Sequence, residues 1–335
     1  MPLPIPLEAA HPIKPRRWRR LALRLTAIVF VISNVAAFLI AWAATHYEAP
    51  GETHNRARPG SPWQKFESYA THLAMPRPQG ATNPSRWNLP YTTVHYPGAE
   101  HLNLEAWRIA GKEGSPTVLL FHGHGAGKTS TLGAAKEFHE VGCETWMVDF
   151  HGSGGSAGST TTIGYSEADD VLATVREALA AHPQKQPMIL YGTSMGAAAI
   201  LCAIHRYHLQ PDALILECPY DRLVTTIGNR CRPLGLPAFP SAELVVFWGG
   251  VQRGFNGFSL NPVDYARDVH CPTLLLQGDC DRCVGLDHAR EIANALGKQC
   301  TFDIFPGIGH TIPVREQWHR DVTAFLETNG LIPKG

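Results

Sequence analysis

Along the second two thirds of the chain, short apolar runs alternate with stretches whose apolar residues recur at helical spacing. The apolar runs are Thr117–Phe121, Thr145–Phe150, Met188–Tyr191, Ala213–Glu217, Thr273–Gln277 and Thr301–Phe305. They lack the in-out alternation of a half-wet strand, so they predict strands covered on both faces. Helical spacing fills the gaps near Ser130–Val141, over Tyr165–Ala181 (Val171, Leu172, Val175 and Leu179 in phase), near Asp287–Leu296 and near Gln317–Thr328. Strands and helices in this alternation predict a mostly parallel α/β sheet with helices on both faces. Two earlier runs, Thr92–Tyr96 and Leu102–Ile109, alternate apolar and polar residues across Pro97-Gly98 and predict an antiparallel pair. The alternation breaks between Tyr220 and Pro262. There Leu234, Leu236, Phe239 and the run from Leu244 to Trp248 predict a small helical cap, inserted at about 221–261.

The N-terminal part follows a different pattern. From Leu25 to Ala44 the chain carries no charge, and before it Lys14, Arg16, Arg17, Arg19, Arg20 and Arg24 face a single acid, Glu8. Twenty helical residues reach across about 30 Å, the thickness of a bilayer core. A basic flank stays on the cytoplasmic side. The expectation is therefore a cytoplasmic tail (1–24), a single-pass anchor (25–44) and an extracytoplasmic remainder. A cleaved signal peptide is the rival reading, because Ala41-Trp42-Ala43 fits a small-x-small cleavage site. Residues 45–90 are rich in Pro, Gly, Arg and Asn with Trp63, Phe66, Tyr69 and Trp87 interspersed, which predicts a tether that becomes a packed arm. The folded domain is expected over 91–335.

Composition narrows the class. The chain is 44% hydrophobic and 17% charged, which is globular, and its formal net charge is zero, which offers nothing to nucleic acid. All eight cysteines lie beyond residue 140. Inside the cytoplasm they read as buried thiols; outside it, disulfides become the better reading, with Cys280–Cys283 the nearest pair and Cys271–Cys300 a weaker one. Nothing in the sequence bears on oligomeric state.

The chemistry centres on Gly192-Thr193-Ser194-Met195-Gly196, placed between an apolar strand and a run of small residues. A strand, a sharp turn and a helix in that order hold a serine at the apex of a nucleophile elbow. Side chains two residues before and after it would clash, and Gly192 and Gly196 remove them. A serine needs a base and an orienting acid. Downstream, Asp281 follows one apolar strand and His310 closes the last, so the order Ser194, Asp281, His310 brings all three to the carboxyl ends of strands.

From Thr92 to the end the chain resembles the α/β-hydrolase-fold serine hydrolases. Gly278, Asp281 and Val284 match that family's Gly-x-x-Asp-x-x-Val acid motif, which favours Asp281 over Asp279, and His122-Gly123-His124 matches its His-Gly-x oxyanion turn. The resemblance implies that the backbone N–H groups of His124 and Met195 bind the oxyanion. Asp149-x-His151-Gly152-x-Gly154-x-Ser156 and Gly164-x-x-Glu167-x-x-Asp170 resemble the family's strand-end and helix-start patterns and are read as structural. The expected activity is hydrolysis of an acyl ester or thioester with an apolar, small-molecule or lipid-like acyl substrate. The alternatives are a peptidase or amidase of the same fold and a non-catalytic binding module. No cofactor or metal is implied. Gly125-Ala126-Gly127-Lys128-Thr129 resembles a phosphate-binding loop but falls one residue short when counted from Gly123, which leaves Lys128 expected at the solvent. Cys280-x-x-Cys283 has the placement of a thiol-redox pair, yet that reading leaves the serine constellation unexplained.

Overall fold

The computed structural model describes residues 15–49, 74–182 and 186–334. Trp63, Phe66, Tyr69 and most of the expected tether lie outside these residues, as does the start of the basic tail. Among the described residues one sheet has eight strands: β1 (Thr92–Pro97), β2 (Asn103–Ile109), β3 (Thr117–Phe121), β4 (Glu144–Asp149), β5 (Met188–Thr193), β6 (Ala213–Glu217), β7 (Thr273–Gly278) and β8 (Cys300–Phe305). Their spatial order is β1-β2-β4-β3-β5-β6-β7-β8. The first hairpin is antiparallel, β2 runs antiparallel to β4, and every later pairing is parallel. This is the α/β-hydrolase fold, with the predicted strands in place to within a residue or two.

Helices cover both faces, as uninterrupted apolar strands require. Leu119, Phe121, Leu190, Leu214 and Leu216 point into one core, while Val118, Leu120, Ile189, Ala213 and Ile215 point into the other. The first core is closed by α3 (Glu167–Ala181), α4 (Met195–Tyr207) and α7 (Leu286–Leu296), and the second by α2 (Leu132–Glu140) and α8 (Glu316–Thr328). The predicted cap contains two helices, α5 (Leu223–Cys231) and α6 (Ala238–Arg253).

The apolar N-terminal segment is one long helix, α1 (Pro15–Thr45), exposed over its first half. Its last turns pack on α6: Ala37 and Ala41 are buried, the Trp248 indole N–H donates to Asn34 Oδ1 (3.2 Å), and Gln252 Nε2 donates to the Phe38 carbonyl (2.9 Å).

Lys128 is not at the solvent. Glu105 and Asp149 are cross-strand partners on β2 and β4, so two carboxylates stand side by side at the carboxyl end of β4. The Lys128 ammonium lies between them, 2.7 Å from Glu105 Oε1 and also bonded to Asp149 Oδ2, while the Lys128 backbone N–H donates to Asp149 Oδ1 (2.7 Å). The side chain is only 5% exposed because this pairing replaces its water. Nearby, the Arg77 guanidinium donates to the carbonyls of Gly154 (3.0 Å), Gly158 (2.7 Å) and Ser156, tying the segment before β1 to the loop after β4.

Candidate active site

β5 enters α4 through Ser194, whose backbone (φ 51°, ψ −112°) lies where side chains other than glycine are strained. A Cβ on Gly192 would stand 2.6 Å from the Ala197 nitrogen, and one on Gly196 2.4 Å from the Phe121 carbonyl oxygen. Both approaches are backbone against backbone, so neither can relax. The Ser194 N–H donates to the Glu217 carbonyl at the end of β6 (2.8 Å), which fixes the apex against the neighbouring strand.

The three residues singled out in sequence meet here. Ser194 Oγ is 2.9 Å from His310 Nε2, and His310 Nδ1 is 2.7 Å from Asp281 Oδ2. Gly278, at the end of β7, lies against the loop that carries His310: a Cβ there would be 2.4 Å from the Gly309 carbonyl oxygen. That contact joins the acid loop to the histidine loop. The Asp281 carboxylate is fully buried, and its Oδ1 accepts the backbone N–H groups of Cys283 (2.7 Å) and Val284 (2.9 Å). Burial alone would raise its pKa; the hydrogen bonds from His310, Val284 and Cys283 outweigh it and hold the carboxyl below its ordinary value. Asp279 instead accepts the Gly307 N–H and does not face the imidazole.

All eight cysteines are unpaired, Cys280 and Cys283 included. Of the two readings left open for Cys280 and Cys283, free thiols are what the fold holds, and Asp281 is fixed by accepting the N–H groups of Cys283 and Val284.

The turn expected to bind the oxyanion, His122-Gly123-His124, follows β3. Gly123 faces Ser194, its virtual Cβ 3.5 Å from the serine Cβ, and the Met195 N–H opens α4, where the helix supplies no carbonyl to bond it. Neither histidine of the turn is arranged as a metal ligand. His122 Nδ1 bonds the Gly123 carbonyl (2.8 Å) and its Nε2 accepts the Phe150 N–H (3.2 Å), leaving no free nitrogen. His124 Nε2 donates to the Ala44 carbonyl (2.9 Å), and desolvation of its ring, with the Arg230 charge adding, brings its pKa down to about 4.

Three residues of the site have no signal in the sequence. Tyr47, just past α1, accepts the Gly125 N–H on its hydroxyl (3.1 Å), so the end of α1 holds the oxyanion turn at both His124 and Gly125. Glu217 lies below the elbow with its carboxylate against the Trp318 indole N–H (2.5 Å), and desolvation pushes its pKa up to about 7. Arg230, in the last turn of α5, lines the cleft of about 220 Å³ that opens over Ser194 and His310.

A second Ser-His-Asp arrangement lies nearby. His151 Nδ1 is 2.6 Å from Asp170 Oδ2, and Ser166 Oγ is 3.4 Å from His151 Nε2. Burial would lower the pKa of His151, but Asp170 and Glu167 raise it to about 9. Asp170 Oδ2 also accepts the His151 backbone N–H (3.0 Å), and Ser166 Oγ bonds Thr162 Oγ1 (2.7 Å), so the group braces the loops around α3. Glu167 also accepts the N–H groups of Thr162 (3.0 Å) and Gly164 (2.8 Å), bracing the loop ahead of α3.

A family model described as serine aminopeptidase, S33, matches residues 113–241, which hold the oxyanion turn and the elbow and end before Asp281 and His310. The uncharacterized protein YqkD of Bacillus subtilis is 23% identical over 192 residues, 57% of this chain and 63% of that protein. The chain therefore spans a little under two thirds of that relative. An uncharacterized membrane protein of Saccharomyces cerevisiae, YNL320W, is 27% identical over 156 residues, 44% of this chain and 54% of its own. Among solved structures, the Pyrococcus furiosus esterase Pf2001 superposes with a TM-score of 0.63 at 21% identity, over 76% of this chain and 96% of the esterase. This sheet order and these likenesses give the chain the α/β-hydrolase fold, and residues 113–241, with the serine elbow, are the part similar to the S33 serine aminopeptidase model.

Proposed function

We propose that the protein cleaves an acyl ester or thioester through a covalent acyl-enzyme, with Ser194 as nucleophile, His310 as base and then acid, and Asp281 orienting the imidazole. The observation that carries this reading is the unbroken chain from Ser194 Oγ to His310 Nε2 (2.9 Å) and from His310 Nδ1 to Asp281 Oδ2 (2.7 Å). Ser194 Oγ attacks the carbonyl carbon while Nε2 takes its proton, and the ionised Asp281 stabilises the imidazolium. The oxyanion is held by the backbone N–H groups of His124 and Met195, with the N-terminus of α4 behind them. The imidazolium returns its proton to the leaving oxygen or sulfur. Water then repeats the sequence on the acyl-serine, releasing the acid.

The cap and the anchor support an apolar acyl substrate met at a membrane. α6 packs along Asn34 to Ala41 of α1, so the depth those residues take in a bilayer is shared by α6. The outward side of the cap is apolar: Phe239 is 76% exposed, Val251 57% and Phe247 48%. A helix apolar on its outer side as well as its inner one suits an acyl-chain environment better than water. On this reading α1 is an uncleaved anchor, the domain is extracytoplasmic, and the cap lies in the adjoining leaflet.

A serine-directed fluorophosphonate should label the protein and fail to label Ser194→Ala; labelling that survives the substitution would place the nucleophile elsewhere. p-Nitrophenyl esters of graded chain length, assayed beside a matched amide and thioester, test the acyl reading. kcat/KM should climb from acetyl to medium chains, and a preference for acetyl or for the amide would refute it.

A further inference from the structure

The cleft over Ser194 contains a cation that the hydrolytic mechanism does not use. Arg230 lines it together with His124, Ser194, Glu217 and His310. Among the described residues no carboxylate lies within ion-pair distance of its guanidinium, whereas Arg222, on the residue before α5, pairs with Asp221 and Glu291 at 2.9 Å each, and Arg232, just after α5, bonds Asn229 Oδ1 at 3.2 Å. Of the three arginines in this segment, only Arg230 lines the cleft, and only it has no side-chain partner among the described residues.

The surroundings leave that charge standing. Glu217 is the one acid on the cleft lining; desolvation drives it toward the neutral form, and its carboxylate is taken by the Trp318 indole. The partial negative charge at the C-terminus of α5 offsets some of the positive field but offers no second charge. The field reaches the reacting centre, because it depresses His124 of the oxyanion turn and acts on Tyr47 beside it. Arg230 is half-buried and faces the cleft, so an anion entering there replaces water on a guanidinium that is already partly desolvated. Its planar fork suits an oxygen-bearing anion, which it binds through two parallel N–H donors.

We infer that Arg230 forms an anion-binding subsite of this cleft, so that the substrate is an acyl ester or thioester bearing a carboxylate or phosphate near its scissile carbonyl. The inference rests on the reading of Ser194 as nucleophile, which puts the reacting carbonyl in the same cleft. The anionic group can enter on the acyl side or on the leaving-group side, and the two sources are separable by substrate design.

The test uses the full-length protein in detergent micelles with three chromogenic esters of similar size. p-Nitrophenyl valerate is neutral, mono-p-nitrophenyl glutarate carries its carboxylate on the acyl side, and the valerate ester of 5-hydroxy-2-nitrobenzoate carries it on the leaving group. The native protein should turn over one of the anionic esters with a kcat/KM about 10- to 100-fold above the neutral one, the range expected for a charged hydrogen-bonded pair. Arg230→Gln should abolish that preference, losing about 10- to 100-fold more kcat/KM on the preferred anionic ester than on the neutral one, and Arg230→Lys should keep part of it. Circular dichroism and thermal melting show that the variants are folded. No preference for either anionic ester in the native protein, or an equal loss on all three in Arg230→Gln, would overturn the inference. Calorimetric binding of the preferred ester to Ser194→Ala, weakened by the further change Arg230→Gln, reads the subsite without turnover. Turnover that survives Ser194→Ala would instead sink the nucleophile assignment while leaving that binding comparison intact.

Discussion

Removing one oxygen from Tyr47 tests whether the end of α1 is part of the catalytic apparatus. In Tyr47→Phe the ring stays, because its backbone is held by the bond from the Tyr47 N–H to the Ser159 carbonyl (2.7 Å), while the acceptor of the Gly125 N–H is lost. Desolvation pushes the phenol up to about 12, so at assay pH the native group is a neutral hydroxyl and the change removes no charge. One such hydrogen bond contributes about 0.5–1.5 kcal/mol to stability, and water can reach Gly125, so the melting temperature should fall by only about 2–4 °C. Catalysis should suffer more. Deleting an oxyanion donor outright costs about 10²–10³ in rate, and here the His124 donor is loosened, not deleted, so a loss of about 10-fold in kcat is expected. KM should stay unchanged, because the turn touches the substrate oxygen only as charge develops on it. The assay is steady-state hydrolysis of p-nitrophenyl butyrate, with circular dichroism to show that the fold is intact. A kcat within about two-fold of native in a well-folded variant would refute the reasoning.

Other outcomes follow from the same geometry. Asp281→Asn should lower kcat by roughly 10³-fold or more while Asp279→Asn stays near native, since only the former carboxylate faces His310; steady-state kinetics on both decides it. Lys128→Met leaves the buried Asp149 and the half-buried Glu105 side by side without their cation and should cost about 3 kcal/mol in urea titration, with a surface lysine variant such as Lys298→Met as control. His151, held protonated to about 9 by Asp170 and Glu167, has a folded pKa above its unfolded value. Its contribution is therefore complete below about pH 6.5 and is lost as pH rises through about 9. The melting temperature should fall across that window, and the fall should flatten in His151→Gln.

How much of this was written in the chain depends on how far apart the interacting groups lie. The strands were legible because an apolar run without alternation has few alternatives to a doubly covered strand, and all eight ended within a residue or two of their predicted limits. The elbow was legible because its requirement is local: Gly192 and Gly196 must lack a Cβ where Ala197 and Phe121 pass at 2.6 and 2.4 Å. Asp281 and His310 were legible as residues that follow strands, since a parallel sheet brings every strand's carboxyl end to one rim. Lys128 was misread because what neutralises it is a pair of acids, one 23 residues before it and one 21 residues after it, set side by side only by strand register. For the cysteines, spacing left a bridge and free thiols equally open, because the N–H donors that fix the acid come only with the folded turn. Tyr47 belongs to the site through a contact across 78 residues, and Arg230 through the direction in which a cap helix turns. Sequence patterns thus determined the elements and the groups whose constraints are satisfied within a turn or at a strand's end. Tertiary structure decided which charges are paired, which are left facing the cleft, and that the last turns of the apolar N-terminal helix pack on the domain that follows, because those depend on surfaces that meet only after the sheet has formed.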